Sequence, residues 1–62
     1  MAWISRDERG YLDLCSIRPE RSNNGEWYTY EDDDAQWIEL PLDADEKLIG
    51  RHITWEDEPV EI

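Results

Sequence analysis

Phenylalanine is absent from this sequence, and cysteine, histidine and methionine occur once each. One cysteine, Cys15, excludes an internal disulfide and a thiolate zinc cluster. A chain this small with no such staple points to a reducing compartment, and a cytoplasmic location is the expectation. No apolar run approaches the roughly 20 residues that span a bilayer. The opening Met1-Ala2-Trp3-Ile4-Ser5-Arg6-Asp7 has neither a basic leader nor an apolar core, so it does not read as a signal peptide. There is no Gly-rich phosphate loop, and no cofactor is expected. Bases are also scarce, six against seventeen acids. The net charge of −11 repels nucleic acid and anionic lipid, argues against membrane binding, and attracts basic partners.

What remains is aromatic and acidic. Sixty-two residues make a single small domain near the lower limit for folding without staples. Four tryptophans (Trp3, Trp27, Trp37, Trp55) and three tyrosines (Tyr11, Tyr28, Tyr30) are its main resource for a core. A monomer is expected, with weak homo-oligomerisation as the supplement if that core falls short. The charge is uneven. Residues 1–30 carry four arginines against five acids, a net of −1, while residues 31–62 carry Lys47 and Arg51 against twelve acids, a net of −10.

The pattern of short alternating runs predicts a mostly β protein, an antiparallel meander or open barrel with one short helical turn. Trp3-Ile4-Ser5 and Tyr11 to Ile17 read as strands joined by Arg6 to Gly10, where Gly10 suits a left-handed turn position. Pro19 ends the second strand. Asn24-Gly25 is a turn dipeptide that feeds a strand over Glu26 to Tyr30. Gln36 to Leu42 alternates Ile38, Leu40 and Leu42 against Trp37, Glu39 and Pro41, which predicts a central strand with the aliphatic residues buried. Asp43 and Glu46 have capping-box spacing and Gly50 suits a helix stop, so 43–50 reads as a helix of at most two turns. His52 to Trp55 is read as a further strand and Val60 to Ile62 as an edge strand.

No catalytic constellation emerges. Cys15 and His52 are the sole candidates for nucleophile and base, on separate segments with no flanking motif. The bland reading makes Cys15 a small core residue and places His52 at a strand margin. Asp43-Ala44-Asp45 imitates the start of a calcium loop, but Leu48 stands where Gly is needed and Thr54 where Glu is needed. A metal site is therefore not expected, and a metal-dependent accessory role for His52 with neighbouring acids is the minor alternative. The chain is read as non-enzymatic, a protein-binding module. Glu31-Asp32-Asp33-Asp34 and Glu56-Asp57-Glu58, both at turns, are the candidate contact acids. One alternative has them imitate DNA phosphates and block a basic nucleic-acid-binding protein; the bland reading is that they keep a Trp-rich chain soluble. Trp37, Tyr28 and Tyr30 sit where alternation does not demand burial and suit an aromatic contact, with Trp37 the leading candidate; the bland reading, which the pattern favours, is that they cover the second face of the sheet.

One resemblance spans most of the chain. Trp3-Ile4, Gly10-Tyr11-Leu12-Asp13-Leu14, Arg18-Pro19, Trp27, Ile38-Glu39-Leu40-Pro41 and the closing Thr54-Trp55-Glu56-Asp57-Glu58-Pro59-Val60-Glu61-Ile62 carry it. Together they resemble small uncharacterised proteins of phages, prophages and gut bacteria that end in a TWEDEPVE-like motif. The sequence departs from that pattern between Asp43 and His52. The resemblance implies no activity and no functional residue. It implies only a setting in which small inhibitors of host proteins are common.

Overall fold

The computed structural model describes residues 2–30 and 34–62. Strands β1 (Trp3–Arg6) and β2 (Leu12–Cys15) form an antiparallel hairpin, in register from Trp3 opposite Cys15 to Arg6 opposite Leu12. Its turn closes locally. The Asp7 N–H donates to the Tyr11 carbonyl at 2.9 Å, and the Asp7 Oδ1 accepts the Tyr11 N–H, also at 2.9 Å. Gly10 takes φ +99, the left-handed geometry expected of it.

Strand β5 (Trp37–Leu40) pairs with the far side of β2, and β6 (Val60–Glu61) with the far side of β1. The sheet order β5-β2-β1-β6 is antiparallel throughout and open at both edges, not a closed barrel. A second hairpin, β3 (Glu20–Arg21) and β4 (Trp27–Tyr28), forms around the expected Asn24-Gly25 turn. It docks on the first hairpin through backbone acceptors. The Glu8 N–H donates to the Gly25 carbonyl at 3.0 Å, and the Trp27 Nε1–H to the Arg6 carbonyl at 2.7 Å. Mostly β with one short helix is the architecture, as the alternation predicts.

Paired residues on neighbouring strands share a face. The rows Ile4–Leu14–Ile38 and Arg6–Leu12–Leu40 therefore share one face, and α1 (Ala44–Ile49) packs on it. The core is Ile4, Leu12, Ala44 and Ile53, with Leu40, Ile49 and Val60 against it. Cys15 is a buried free thiol, a small residue within the sheet on the face away from this cluster.

Four expectations need correction. The core cluster is aliphatic and not aromatic, and of the tryptophans and tyrosines only Trp27 is buried. The Gln36–Leu42 stretch is an edge strand, not the central one: Ile38 and Leu42 are 57% and 60% exposed, and Leu40 alone reaches the core. The interior positions go to β2 and β1, each flanked on both sides. His52 to Trp55 is not a strand. The backbone of Ile53 is satisfied by side chains instead: its N–H donates to Asp45 Oδ2 at 2.8 Å and its carbonyl accepts from Arg6 Nε at 2.7 Å. The Asp43 side chain makes no capping bond; Asp45 Oδ1 takes the Glu46 N–H at 2.8 Å in its place. Gly50 does close the helix, donating to the Glu46 carbonyl at 3.1 Å. No helix among the described residues is long and apolar enough to cross a membrane.

Candidate functional site

The face of the sheet opposite the core carries the row Ser5–Asp13–Glu39 across β1, β2 and β5. Asp13 and Glu39 are direct cross-strand partners, a like-charge pairing that destabilises a sheet. With Asp7, Arg9 and Tyr11 they line an open groove of about 400 Å3. Burial raises the Asp13 carboxyl above its ordinary value, and the charges of Asp7 and Glu39 raise it further. Arg9 does not neutralise the groove outright. Its guanidinium lies 5.7 Å from the centre of the Tyr11 ring and 3.4 Å from Glu26 on the second hairpin. The Ser5 hydroxyl in the same row is buried without a hydrogen-bond partner among the described residues.

Glu39 joins this groove to the open edge of the sheet. The Ser16 N–H donates to the Gln36 carbonyl at 3.0 Å, continuing the β2–β5 register by one pair. Hydrogen-bonded pairs alternate in an antiparallel ladder. Gln36, Ile38 and Leu40 therefore bond inward to β2, and the N–H and C=O groups of Trp37 and Glu39 point outward. Beside them Trp37 is 39% exposed and Ile38 more so. An exposed edge with apolar side chains is a template for another strand.

The remaining polar centre is structural. Arg6 and Asp45 form a buried ion pair at 2.7 Å, with side chains 8% and 0% exposed. Burial alone would raise the Asp45 carboxyl, but the Ile53 N–H, the Arg6 guanidinium and the Glu46 N–H outweigh it and hold it below the usual range. His52 Nδ1 lies 3.2 Å from Asp45 Oδ2, and Glu46 is near both. These three residues are the one group among the described residues with metal-ligand spacing. The Asp45 oxygens already accept from Arg6 and two backbone N–H groups.

The acids expected to form a contact surface fare unevenly. Glu31, Asp32 and Asp33 lie outside the described residues. Asp34 and Glu56 are exposed. Asp57 is turned to its own loop, accepting the Thr54 N–H at 2.8 Å, and Glu58 pairs with Arg18 at 3.2 Å and Arg21 at 3.7 Å. Trp37 is exposed. Tyr30 is 73% exposed and meets Tyr28 edge to face at 5.2 Å, with a hydroxyl–hydroxyl bond of 2.9 Å that raises the Tyr28 pKa. Sequence reasoning missed the Asp13–Glu39 pair. Its signal was present in two acids on non-aliphatic positions of adjacent alternating runs, but their meeting depends on register. No family model, curated protein or solved structure matches the chain.

Proposed function

We propose that this chain is a non-enzymatic protein-binding module, working in the cytoplasm, that receives a basic partner on the acidic side of its sheet. The observation that carries the reading is the Asp13–Glu39 pair, two carboxylates directly opposite each other on adjacent strands and on the same face as the exposed Trp37. A fold that keeps such a pair accepts a stability cost that a cationic partner relieves. The scarcity of bases elsewhere and the net charge of −11 extend the same field over the molecule. Lone, buried Cys15 fits a reducing location. The resemblance to small phage and prophage proteins belongs to the same proposal, as a setting where binding to host proteins is common. Mimicry of DNA phosphates at Glu56-Asp57-Glu58 draws less support, since Asp57 and Glu58 are engaged within the chain.

The test compares capture from a host lysate by the wild-type protein and by a double variant, Asp13→Asn with Glu39→Gln. Basic proteins held by the wild type, released by salt and lost with the variant are the expected result. Identical capture by both proteins, or capture indifferent to salt, would count against the reading.

A further inference from the structure

The outer edge of β5 adds a specific geometry to the acidic side of the sheet. Trp37 and Glu39 present backbone donors and acceptors there that have no partner among the described residues, and both side chains lie on the Asp13 face. Ile38 between them lies on the opposite face and is exposed. Peptides that add a strand to a sheet edge gain affinity from main-chain bonds and specificity from alternate side chains.

We propose that β5 is extended by an incoming strand: a basic, extended segment of a partner protein pairs with the outer edge of Trp37 and Glu39. The residue beside Glu39 is Lys or Arg and meets Glu39 and Asp13 together. Its neighbour in sequence is apolar and covers Ile38. The next residue is again basic, placed over the Trp37 ring for a cation–π contact. The partner motif is thus basic–apolar–basic, and this inference rests on the basic-partner reading above.

Charge decides the occupant. A second copy of this chain would bring another −11 to an edge already flanked by Asp13 and Glu39. Acidic side chains along an edge are a device against self-pairing, but the same charges favour a cationic strand. The opposite edge, β6, offers two residues and one of them is Glu61.

The experiment titrates a short peptide of alternating lysine and valine into 15N-labelled protein and follows amide hydrogen exchange. A peptide of alternating glutamate and valine is the control. At a peptide concentration ten times its Kd, the Trp37 and Glu39 amides should exchange about tenfold more slowly, with no effect of the glutamate peptide. The discriminating variant is Glu39→Pro. Because the Glu39 N–H points away from β2, proline there leaves the β2–β5 ladder intact and removes an outward donor. It should abolish the protection while the spectrum remains that of a folded protein. Glu39→Gln, which keeps the N–H, should weaken binding severalfold without moving its location, and it stands in if the proline variant fails to fold. Binding of the lysine peptide with shifts elsewhere, unchanged in Glu39→Pro, overturns strand addition and leaves the basic-partner reading in place. Equal binding of the two peptides overturns both. No binding of the lysine peptide to folded wild type overturns strand addition, and the lysate comparison then decides the broader reading separately.

Discussion

Two aspartates show how the same group is used in opposite ways. Asp45 is stabilised as an anion, and through Arg6 it links segments far apart in the chain. The Arg6 guanidinium donates to the carbonyls of Ile53, Gly10 and Leu42 at 2.7, 2.8 and 2.9 Å as well as to Asp45. Asp45→Ala should therefore cost about 3–5 kcal/mol, because it leaves a buried cation unpaired. Replacing an isolated buried pair by hydrophobic residues is often neutral or stabilising. Here an Arg6→Met, Asp45→Leu double variant should remain destabilised in urea melts, since it strips the partners from five backbone groups; a double variant as stable as wild type would refute this account of the pair. The pH dependence follows from sign. The folded pKa of Asp45 lies below 3.8, so its contribution is full above that value and is lost as pH falls through the folded one. Asp13 runs the other way. Its folded pKa is raised from 3.8, so stability falls as pH rises through the folded value. Asp13→Asn should then stabilise the neutral protein by about 0.2–1 kcal/mol, the scale of a cross-strand charge pair. Urea unfolding at pH 7 reads this directly, and a loss of stability would mean that Asp13 has an attractive partner.

At the scale of elements, turn chemistry was legible and neighbour order was not. The Gly10 and Asn24-Gly25 turns, the Gly50 helix stop and the terminal β6 all rest on signals within a few residues, and they form where the sequence places them. The place of β5 depends on what lies on its far side, which alternation does not encode. His52 to Trp55 carries strand-like residues, yet Ile53 is held by Asp45 and by Arg6, which is 47 positions away. The acidic groove was hidden for the same reason, because Asp13 meets Glu39 only through the β2–β5 register. The second hairpin shows how a local signal is then put to non-local use. Arg21 lies over both Trp27 and Trp55, 4.7 and 4.6 Å from their ring centres, where the two rings meet edge to face at 5.4 Å, and donates to the carbonyls of Trp55 and Asp57. Gly25 closes the approach to the first hairpin. Its φ is +87, and a Cβ there would stand 2.9 Å from the Glu8 Cβ. Gly25→Ala therefore meets both the left-handed penalty of roughly 1–2 kcal/mol and a clash that moves Glu8 off its bond to the Gly25 carbonyl. A drop in Tm of at least about 4–8 °C is expected for a domain of this size. An unchanged melting curve would mean that the docking of this hairpin contributes little.

The whole molecule is governed by excess charge of one sign. Surface ion pairs such as Arg9–Glu26 and Lys47–Asp43, at 3.4 and 3.8 Å, are worth about 0–1 kcal/mol each and weaken with salt. Six bases cannot balance seventeen acids, so the larger electrostatic effect is mutual repulsion. Size makes that repulsion collective. The longest dimension is 29 Å, and the screening length is about 30 Å at 0.01 M salt but about 10 Å at 0.1 M. At low salt each carboxylate feels nearly all the others, and at higher salt it feels only its neighbours. The buried Arg6–Asp45 pair is out of reach of most of this screening. Salt should therefore stabilise this protein, against the usual expectation for ion-paired surfaces. Tm should rise between about 0.01 M and about 0.5 M sodium chloride, and a fall would show that the surface pairs outweigh the repulsion. Binding of a basic strand to β5 should move the opposite way, because screening weakens the attraction to Glu39 and Asp13 while it relieves the repulsion among the acids. A protein that grows more stable as its partner lets go separates the two roles of its charge in a single salt titration.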